Sequence, residues 1–291
     1  MPELPEVETV ARGLQAQLPG RRIVEVRFGK TDFVVNPAAI EEHLRGQRIG
    51  GVRRFGKFLL VECEAVAEEK ATKGAEEKDA LLVHLGMTGQ LTIAAAGAPV
   101  APHTHAFFAL DDGREMRYTD VRRFGRMELL RNGGRERALG ALGLDPLEAS
   151  EREFSERIGG RHARVKALLL DQHVLRGVGN IYADESLWRA KIHPMRTGNS
   201  LGREEMRRLY GALQATLREA IRLRGSSVSD YVDAEGARGE FQLRHRVYQR
   251  EGKKCFRCGA TIHRAIVAGR SSHFCPRCQR APRRRRIRSK N

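Results

Sequence analysis

The residues able to do chemistry lie at the two ends of this 291-residue chain. At the front, Pro2 follows Met1, so removal of the methionine turns it into a free secondary amine. An α-amino group has a reference pKa of about 7.7–8.0 against about 10.4 for lysine, which leaves roughly a tenth of it uncharged at pH 7 and able to act as a nucleophile. A secondary amine that attacks a sugar carbon forms an iminium, which must carry a positive charge. That charge acidifies the neighbouring carbon and favours elimination. Glu3 and Glu6 stand within the same turn as groups able to move the protons. The stretch also fits a plain proline-initiated helix with acids in its first turn, where the helix dipole favours them.

At the other end, Cys255, Cys258, Cys275 and Cys278 follow the pattern C-x2-C-x16-C-x2-C. Two close pairs at that separation form a zinc-ribbon-like signature, and four thiolates complete a tetrahedral site for one structural Zn2+. A disulfide framework suits small secreted chains, and no export signal precedes this one. His263 and His273 are therefore expected to face the surface or a ligand, outside the metal shell. Cys63, in an apolar strand-like run, reads as a buried structural thiol.

The net charge is +17, and residues 244–291 hold 16 Lys and Arg against one acid. A one-signed segment of that kind is the footprint of a protein that binds phosphate backbone, and nothing amphipathic or lipidated accompanies it to suggest a membrane. No apolar run approaches the roughly 20 residues that span a bilayer, so a cytoplasmic protein is expected.

The elements that must position these groups follow from periodicity. Over residues 3–18, Val7, Val10, Leu14 and Leu18 share a helical face that ends at Pro19-Gly20. Strand-like runs follow at 22–28, 52–63, 80–93, 106–110 and 115–119, the last two joined by a turn whose Asp112-Gly113 is a hairpin signal. This half is expected to be a β-sandwich carrying a helix. The charged segment 64–79 reads as an exposed loop. Helical runs are expected at 165–172, 180–190 and 203–224, the first two separated by Gly177-Val178-Gly179, whose backbone could approach a phosphate. Residues 226–242 form a long loop rich in Gly, Ser and Asp, and Arg283 to Arg286 begin a basic tail.

Taken in order, the runs Pro2-Glu3-Leu4-Pro5-Glu6-Val7-Glu8-Thr9, Arg54-Phe55-Gly56-Lys57, His84-Leu85-Gly86-Met87-Thr88-Gly89, Tyr118 to Gly125, Gly177 to Tyr182, and the cysteine segment with Gly269-Arg270 closely resemble the bacterial formamidopyrimidine-DNA glycosylase family. The likeness runs from Pro2 to about Gln279. It implies a multidomain α+β protein with an N-terminal helix-capped β-sandwich (1–131), a helix-two-turn-helix domain with a lesion-recognition loop (132–243), a zinc-finger hairpin (244–280) and a basic tail (281–291). It implies a monomeric bifunctional glycosylase and AP lyase of base excision repair, acting on double-stranded DNA that contains oxidised purines.

The resemblance also assigns roles. Pro2 is similar to the nucleophile at C1′, Glu3 to the group that assists sugar ring opening, and Lys57 to a phosphate contact and proton donor in β-elimination. Arg270 is implicated in phosphate contact and δ-elimination. Met87, Arg122 and Phe124 match residues that fill the gap left by an extruded base, with Arg122 meeting the orphaned cytosine. His84, His103 and Asn180 match backbone contacts, and Lys166 a lysine near the lesion pocket. Ser226, Ser227, Val228, Ser229, Asp230 and Tyr231 match the loop whose amides grip the flipped base. The charged segment 64–79 and the Arg-rich end depart from the family's usual lengths, which bears on affinity.

Two alternatives are an endonuclease-VIII-like enzyme for oxidised pyrimidines and a non-catalytic zinc-dependent DNA-binding protein. Leu4, where the former branch typically has glycine, and the Arg122/Phe124 pairing favour purine lesions. A pure binder has no use for Pro2, Glu3, Glu6 and Lys57 together. The same N-terminus disfavours an RNA-binding zinc ribbon of ribosomal type.

Overall fold

The computed structural model describes residues 1–64 and 79–281; the expected charged loop and basic tail lie outside them, apart from their edges. The chain forms two compact units: Met1–Leu142 with Arg218–Leu243, and Gly143–Leu217 with the remainder from Arg244. Residues 218–243 thus group with the N-terminal β-sandwich, and the zinc segment groups with the helices. The expected boundary at 131 lies within the first unit, and the one at 243 coincides with its last residue.

In the first unit, α1 (Leu4–Gln15) starts at a capping box in which the Glu6 side chain accepts the Glu3 N–H at 2.8 Å. Pro5 lies in its first turn, where its missing N–H costs nothing. Leu4, Val7, Val10 and Leu14 are fully buried, and Leu18 joins the same core from beyond the helix end. The strands β1 (Ile23–Phe28), β2 (Val34–Val35), β3 (Arg48–Phe55), β4 (Phe58–Glu64), β5 (Asp79–His84), β6 (Gln90–Ala95), β7 (Thr104–Leu110), β8 (Arg114–Thr119) and β9 (Arg126–Leu130) form two sheets, with α2 (Pro37–Leu44) between β2 and β3. Their orders are β1-β7-β8-β6 and β2-β9-β5-β4-β3. Among the described residues, the β2–β9 pair alone of these strand pairs is parallel. The inward faces of both sheets and α1 share one core that includes Ile40, Leu59, Val61, Val83, Phe108 and Tyr118.

Two runs that look continuous in sequence are broken in the structure. The first, 52–63, is a hairpin: Phe55 pairs with Phe58, leaving Gly56 and Lys57 as a two-residue loop. Gly56 has φ +62 while Lys57 does not enter the left-handed region, the pattern of a type II′ turn. The second, 80–93, divides at Leu85 to Gly89 into β5 and β6, which lie in different sheets. Both breaks fall at glycines inside apolar runs, where hydrophobicity alone continues the strand. The hairpin expected across Asp111 to Arg114 is present, with β7 and β8 antiparallel.

In the second unit, α4 (Glu151–Ile158), α5 (Val165–Leu170), α6 (Asn180–Ala190) and α7 (Arg203–Arg222) follow the short α3 (Gly134–Leu139) of the first unit, and α7 runs on into the first unit at Arg218. The capping box of Ser150 and Glu153 starts α4. Gln172 clamps the turn between α5 and α6, accepting the Gly177 N–H at 2.8 Å and donating to the Val178 carbonyl at 2.9 Å. A two-stranded hairpin, β10 (His263–Val267) with β11 (Arg270–Phe274), completes the unit. No helix among the described residues is long and apolar enough to cross a membrane.

Phe108 is fully buried between the sheets and meets Phe28 edge-on with ring centroids 6.2 Å apart. Phe108→Ala should therefore cost about 3–5 kcal/mol of stability. Urea unfolding followed by circular dichroism measures it, as a lower midpoint at an unchanged slope.

Candidate functional site

At the head of α1, Pro2 and Glu3 are buried while Met1 is 48% exposed, so the methionine can be reached and the proline is enclosed. Glu6 is buried as well, and its carboxylate bridges two chain segments, accepting N–H groups from Glu3 and from Ser226, each at 2.8 Å. The Tyr231 hydroxyl donates to the Glu6 carbonyl at 3.3 Å. Gly225, at φ +81, lies against the Glu6 side chain in space a Cβ would invade. The segment 226–231 thus has buried anchors, Ser226, Ser227 and Tyr231, around an exposed tip of Val228, Ser229 and Asp230. Tyr231 belongs to the core of the unit, and burial raises its phenol pKa, with the charge of Glu6 adding to the effect.

Lys57, at the tip of the β3–β4 turn, is only 9% exposed. Arg54 braces this turn from below, donating to the Glu8 carboxylate of α1 at 2.8 Å and to the Gly56 carbonyl at 3.4 Å. Across the β4–β5 pairing, Phe58 lies opposite His84 with ring centroids 5.0 Å apart. Burial, and secondarily the Lys57 cation, push the His84 imidazole pKa down to about 4. Its Nδ1 accepts the Gly86 N–H at 3.2 Å, so the ring proton sits on Nε2, and neutral His84 offers one outward donor.

Met87 and Phe124 are 40% and 58% exposed, which large apolar side chains in a core are not. They sit on two adjoining loops, 85–89 and 120–125. The Arg122 guanidinium lies over the Phe124 ring at 4.5 Å, so these two act as one projecting group. His103 is exposed at φ +64, and its carbonyl accepts the Asp120 N–H at 3.0 Å.

In the second unit, Asn180 at the first position of α6 and Arg270 at the start of β11 line one cleft of about 450 Å³ with Tyr248, Arg264 and His273. Lys166, expected near the lesion pocket, is enclosed by other groups of its unit. It has no exposed surface, and its ammonium donates to Asp184 Oδ1 and to the Ser271 carbonyl, both at 2.6 Å. The same Asp184 accepts the His273 N–H at 2.9 Å and lies 3.1 Å from His273 Nδ1, so His273, expected to face the surface or DNA, is buried and bonded at the wall of this cleft. Neighbouring Glu185 accepts the N–H groups of Arg246, Val247 and Tyr248 at 2.9–3.0 Å. Sequence reading singled out none of Arg54, Asp120, Gln172, Asp184 or Glu185, although Arg54 and Asp120 lie within its own motifs.

The sulfur atoms of Cys255, Cys258, Cys275 and Cys278 all lie within 4.8 Å of one another, a spacing that suits one tetrahedral ion. Cys255 Sγ accepts the Arg257 N–H and Cys275 Sγ the Cys278 N–H, each at 3.4 Å, as bound thiolates do. The residues fit zinc. Their module has a small core of Val247, Ile262 and two of the cysteines, with Trp188 packed against it. Cys63, by contrast, is buried in the sandwich core, and desolvation with nearby carboxylates pushes its thiol up to about 12.

Fold and site together define a modular protein with an enclosed N-terminal proline, a helix-turn-helix turn and a four-cysteine hairpin. Family models match in that order: the formamidopyrimidine-DNA glycosylase N-terminal domain over residues 1–127, its H2TH domain over 142–232, and the zinc finger found in FPG and IleRS over 252–281. The chain is 45% identical to the formamidopyrimidine-DNA glycosylase of Heliobacterium modesticaldum over 289 residues and 43% identical to that of Herpetosiphon aurantiacus over 284, covering 96% of this chain and 100% of each relative. It matches Lactococcus lactis Fpg in complex with DNA containing an abasic site at a TM-score of 0.85 and 35% identity, covering 96% of this chain and 100% of that one. The same Lactococcus protein has been solved with DNA containing an oxidised pyrimidine, at a TM-score of 0.84 over the same shares of the two chains and 35% identity. The chain belongs to the formamidopyrimidine-DNA glycosylase family.

Two tests follow from the site. The unfolded chain takes up a proton on histidine near pH 6.5, and folded His84 does so only near 4. Above that window the group is neutral in both states; inside it the unfolded state binds more protons, so stability falls as pH drops from about 6.5 to about 4. NMR titration should find the His84 ring neutral at pH 6, and His84→Gln should flatten part of the stability loss between pH 7 and 5.

The second test concerns the metal. Purified protein should carry one zinc per chain, and Cys258→Ser should lose it together with lesion-duplex affinity, leaving the thermal transition of the β-sandwich in place. Arg270→Ala should keep the zinc and bind DNA with a salt slope smaller by about one. Metal analysis and salt-dependent binding on both variants measure this.

Proposed function

We propose that this chain is a bifunctional DNA glycosylase and AP lyase of base excision repair, with Pro2 as its nucleophile and double-stranded DNA carrying oxidised purines as its substrate. The observation that carries the reading is the enclosed pair Pro2 and Glu3 at the capped head of α1, braced through Arg54 and Glu8 to the turn that presents Lys57. Once Met1 is removed, the Pro2 nitrogen attacks C1′ as the bond from C1′ to the base breaks, and Glu3 supplies the proton for sugar ring opening. The resulting iminium acidifies C2′–H. Loss of that proton expels the 3′ phosphate, and a second elimination expels the 5′ phosphate.

Other roles follow on the same reading. Lys57 and neutral His84 contact phosphate from adjoining strands. Met87, Arg122 and Phe124 enter the space of the extruded base, their exposure and the cation–π pairing supporting such a wedge. The tip Val228 to Asp230 lies over the lesion, and its amides would read the base. Asn180 and Arg270 bind backbone from one cleft, and Lys166 acts indirectly, by fixing the strand that carries Arg270. His103 contacts phosphate from the loop side. The metal, when bound, holds the hairpin and supplies no chemistry to the sugar. We place the protein in the bacterial cytoplasm, on nucleoid DNA, as a monomer.

Oxidised purines are favoured over pyrimidines by Leu4 and by the Arg122/Phe124 pair. The Lactococcus complex with an oxidised pyrimidine makes a secondary pyrimidine activity worth assaying beside the first.

Borohydride should trap one protein–DNA adduct through the N-terminal peptide, because the proposed intermediate is a reducible iminium. Peptide mapping decides it; an adduct on any lysine rejects Pro2. Full activity in a protein shown by intact mass to retain Met1 would equally reject it. Glu3→Gln should bind the duplex normally and lose about 10²–10⁴-fold in single-turnover excision.

A further inference from the structure

Asp120 has no exposed surface, yet no role has been found for it in the steps above. Its carboxylate accepts four donors. Oδ1 takes the Thr88 hydroxyl and the Arg122 N–H, the latter at 3.2 Å; Oδ2 takes the Tyr118 hydroxyl and the Gly125 N–H, both at 3.0 Å. The Arg122 N–H is shared with Thr88 Oγ1 at 3.1 Å. Thr88, Arg122 and Gly125 come from the two loops that carry the exposed Met87, Arg122 and Phe124, and Tyr118 from the end of β8 beneath them.

The packing around the carboxylate leaves little freedom. A Cβ at Gly86 would collide with the backbone of Phe124 and Gly125, and one at Gly125 with the Tyr118 hydroxyl and the His84 carbonyl. The two loops therefore cross at glycines, backbone on backbone, with Tyr118 filling the space beneath. Tyr118 is itself fully buried, and burial, then the Asp120 charge, raise its phenol pKa, so the hydroxyl keeps its proton and remains a donor.

We propose that Asp120 is the positioning residue of the intercalating group: one buried carboxylate holds the Met87 loop and the Arg122–Phe124 loop at a fixed separation, so that three side chains enter the duplex as a rigid wedge. This rests on the wedge reading given above. A rigid wedge matters because every rotamer or loop ordered on entry subtracts from the energy available to hold the base out of the stack. Asp120 touches neither the sugar nor the base and has no part in the chemistry at C1′.

Asparagine is the informative substitution. An amide of the same shape has one acceptor oxygen and one NH2. If the NH2 replaces Oδ2 it faces the Gly125 N–H; if it replaces Oδ1 it faces the Arg122 N–H. In the first case the Gly125 N–H loses its acceptor; in the second the Thr88 hydroxyl loses its acceptor and the Arg122 N–H is left with Thr88 Oγ1 alone. A buried donor left unpaired costs enough to change an equilibrium roughly 5- to 100-fold.

Asp120→Asn should lower single-turnover excision from an 8-oxoguanine:cytosine duplex by at least about tenfold. Strand cleavage at a preformed abasic site in single-stranded DNA, which needs no extrusion, should stay within about twofold of wild type. The preference for cytosine over adenine opposite the lesion should shrink. Thr88→Val, which keeps the carboxylate and removes one bridge, should show the same pattern more weakly, and serves if Asp120→Asn does not fold. Thr88→Ser, which restores the hydroxyl, should recover wild-type values.

The proposal is overturned if folded Asp120→Asn excises from the duplex and selects the opposite base as wild type does, or if both substrates are lost in parallel. It is also overturned if Thr88→Val leaves opposite-base selection unchanged. Failure of the underlying reading looks different: wild type itself would then act on neither substrate.

Discussion

A carboxylate withdrawn from water is tolerable only where donors surround it, and both units are organised around sites of this kind. Glu6 and Asp120 in the first unit, Asp184 and Glu185 in the second, are all nearly or wholly buried. Glu6, Asp184 and Glu185 accept backbone N–H groups from a segment other than their own, while Asp120 accepts those of its own loop together with the Thr88 hydroxyl from the adjoining one. The donors are not decoration on a hydrophobic core. Irregular loops carry the projecting side chains of this protein, and irregular backbone has no ladder to satisfy its N–H groups. A buried acid supplies the missing acceptors and at the same time fixes where the loop sits, which a hydrophobic contact, being non-directional, does poorly.

The arrangement divides labour between regular and irregular structure. The sandwich provides bulk stability through side chains such as Phe108 and Tyr118, while the turn at Gly56-Lys57, the crossing at Gly86 and Gly125, and the segment 226–231 present the polar and exposed apolar groups. In the second unit the helix α6 alone carries Asn180 at its start and Asp184 and Glu185 one turn further on. It thereby sets both the loop 246–248 and the strand β11 that bears Arg270. Lys166 completes this arrangement by neutralising Asp184. A lysine buried this fully against one acid is a strut, which its sequence position beside a glycine turn does not reveal.

Much of this was legible from residue order. Alternating apolar residues marked β7 and β8, the helical face of Val7, Val10 and Leu14 marked α1, and the cysteine spacing marked the metal site, since each depends on local periodicity or ligand count. The interruptions were not legible. Residues 52–63 and 80–93 are apolar enough to read as single strands, and what breaks them is glycine conformation at positions 56 and 86. The short β2, α2 and β9 carry too few residues to show a period. The Ser150–Glu153 capping box was readable and passed over. Asp120 and Asp184 were invisible for another reason: an acid at a loop or on a helix is ordinary in sequence, and only the fold shows that it has been taken out of water.

The bond between Glu6 and Ser226 joins residues 220 positions apart. During synthesis, then, the head of α1 leaves the ribosome long before its partner exists, and for most of translation the first residues lack the contacts that later enclose them. Met1 is accessible throughout that interval, and stays so in the folded chain, where it is 48% exposed. On the proposed reading this also orders events, since a nascent chain has no assembled pocket around its first residues and the bond that ties down the head of α1 forms only once Ser226 has emerged. Contacts of such sequence separation slow folding, so this bond is among the last of its unit to form.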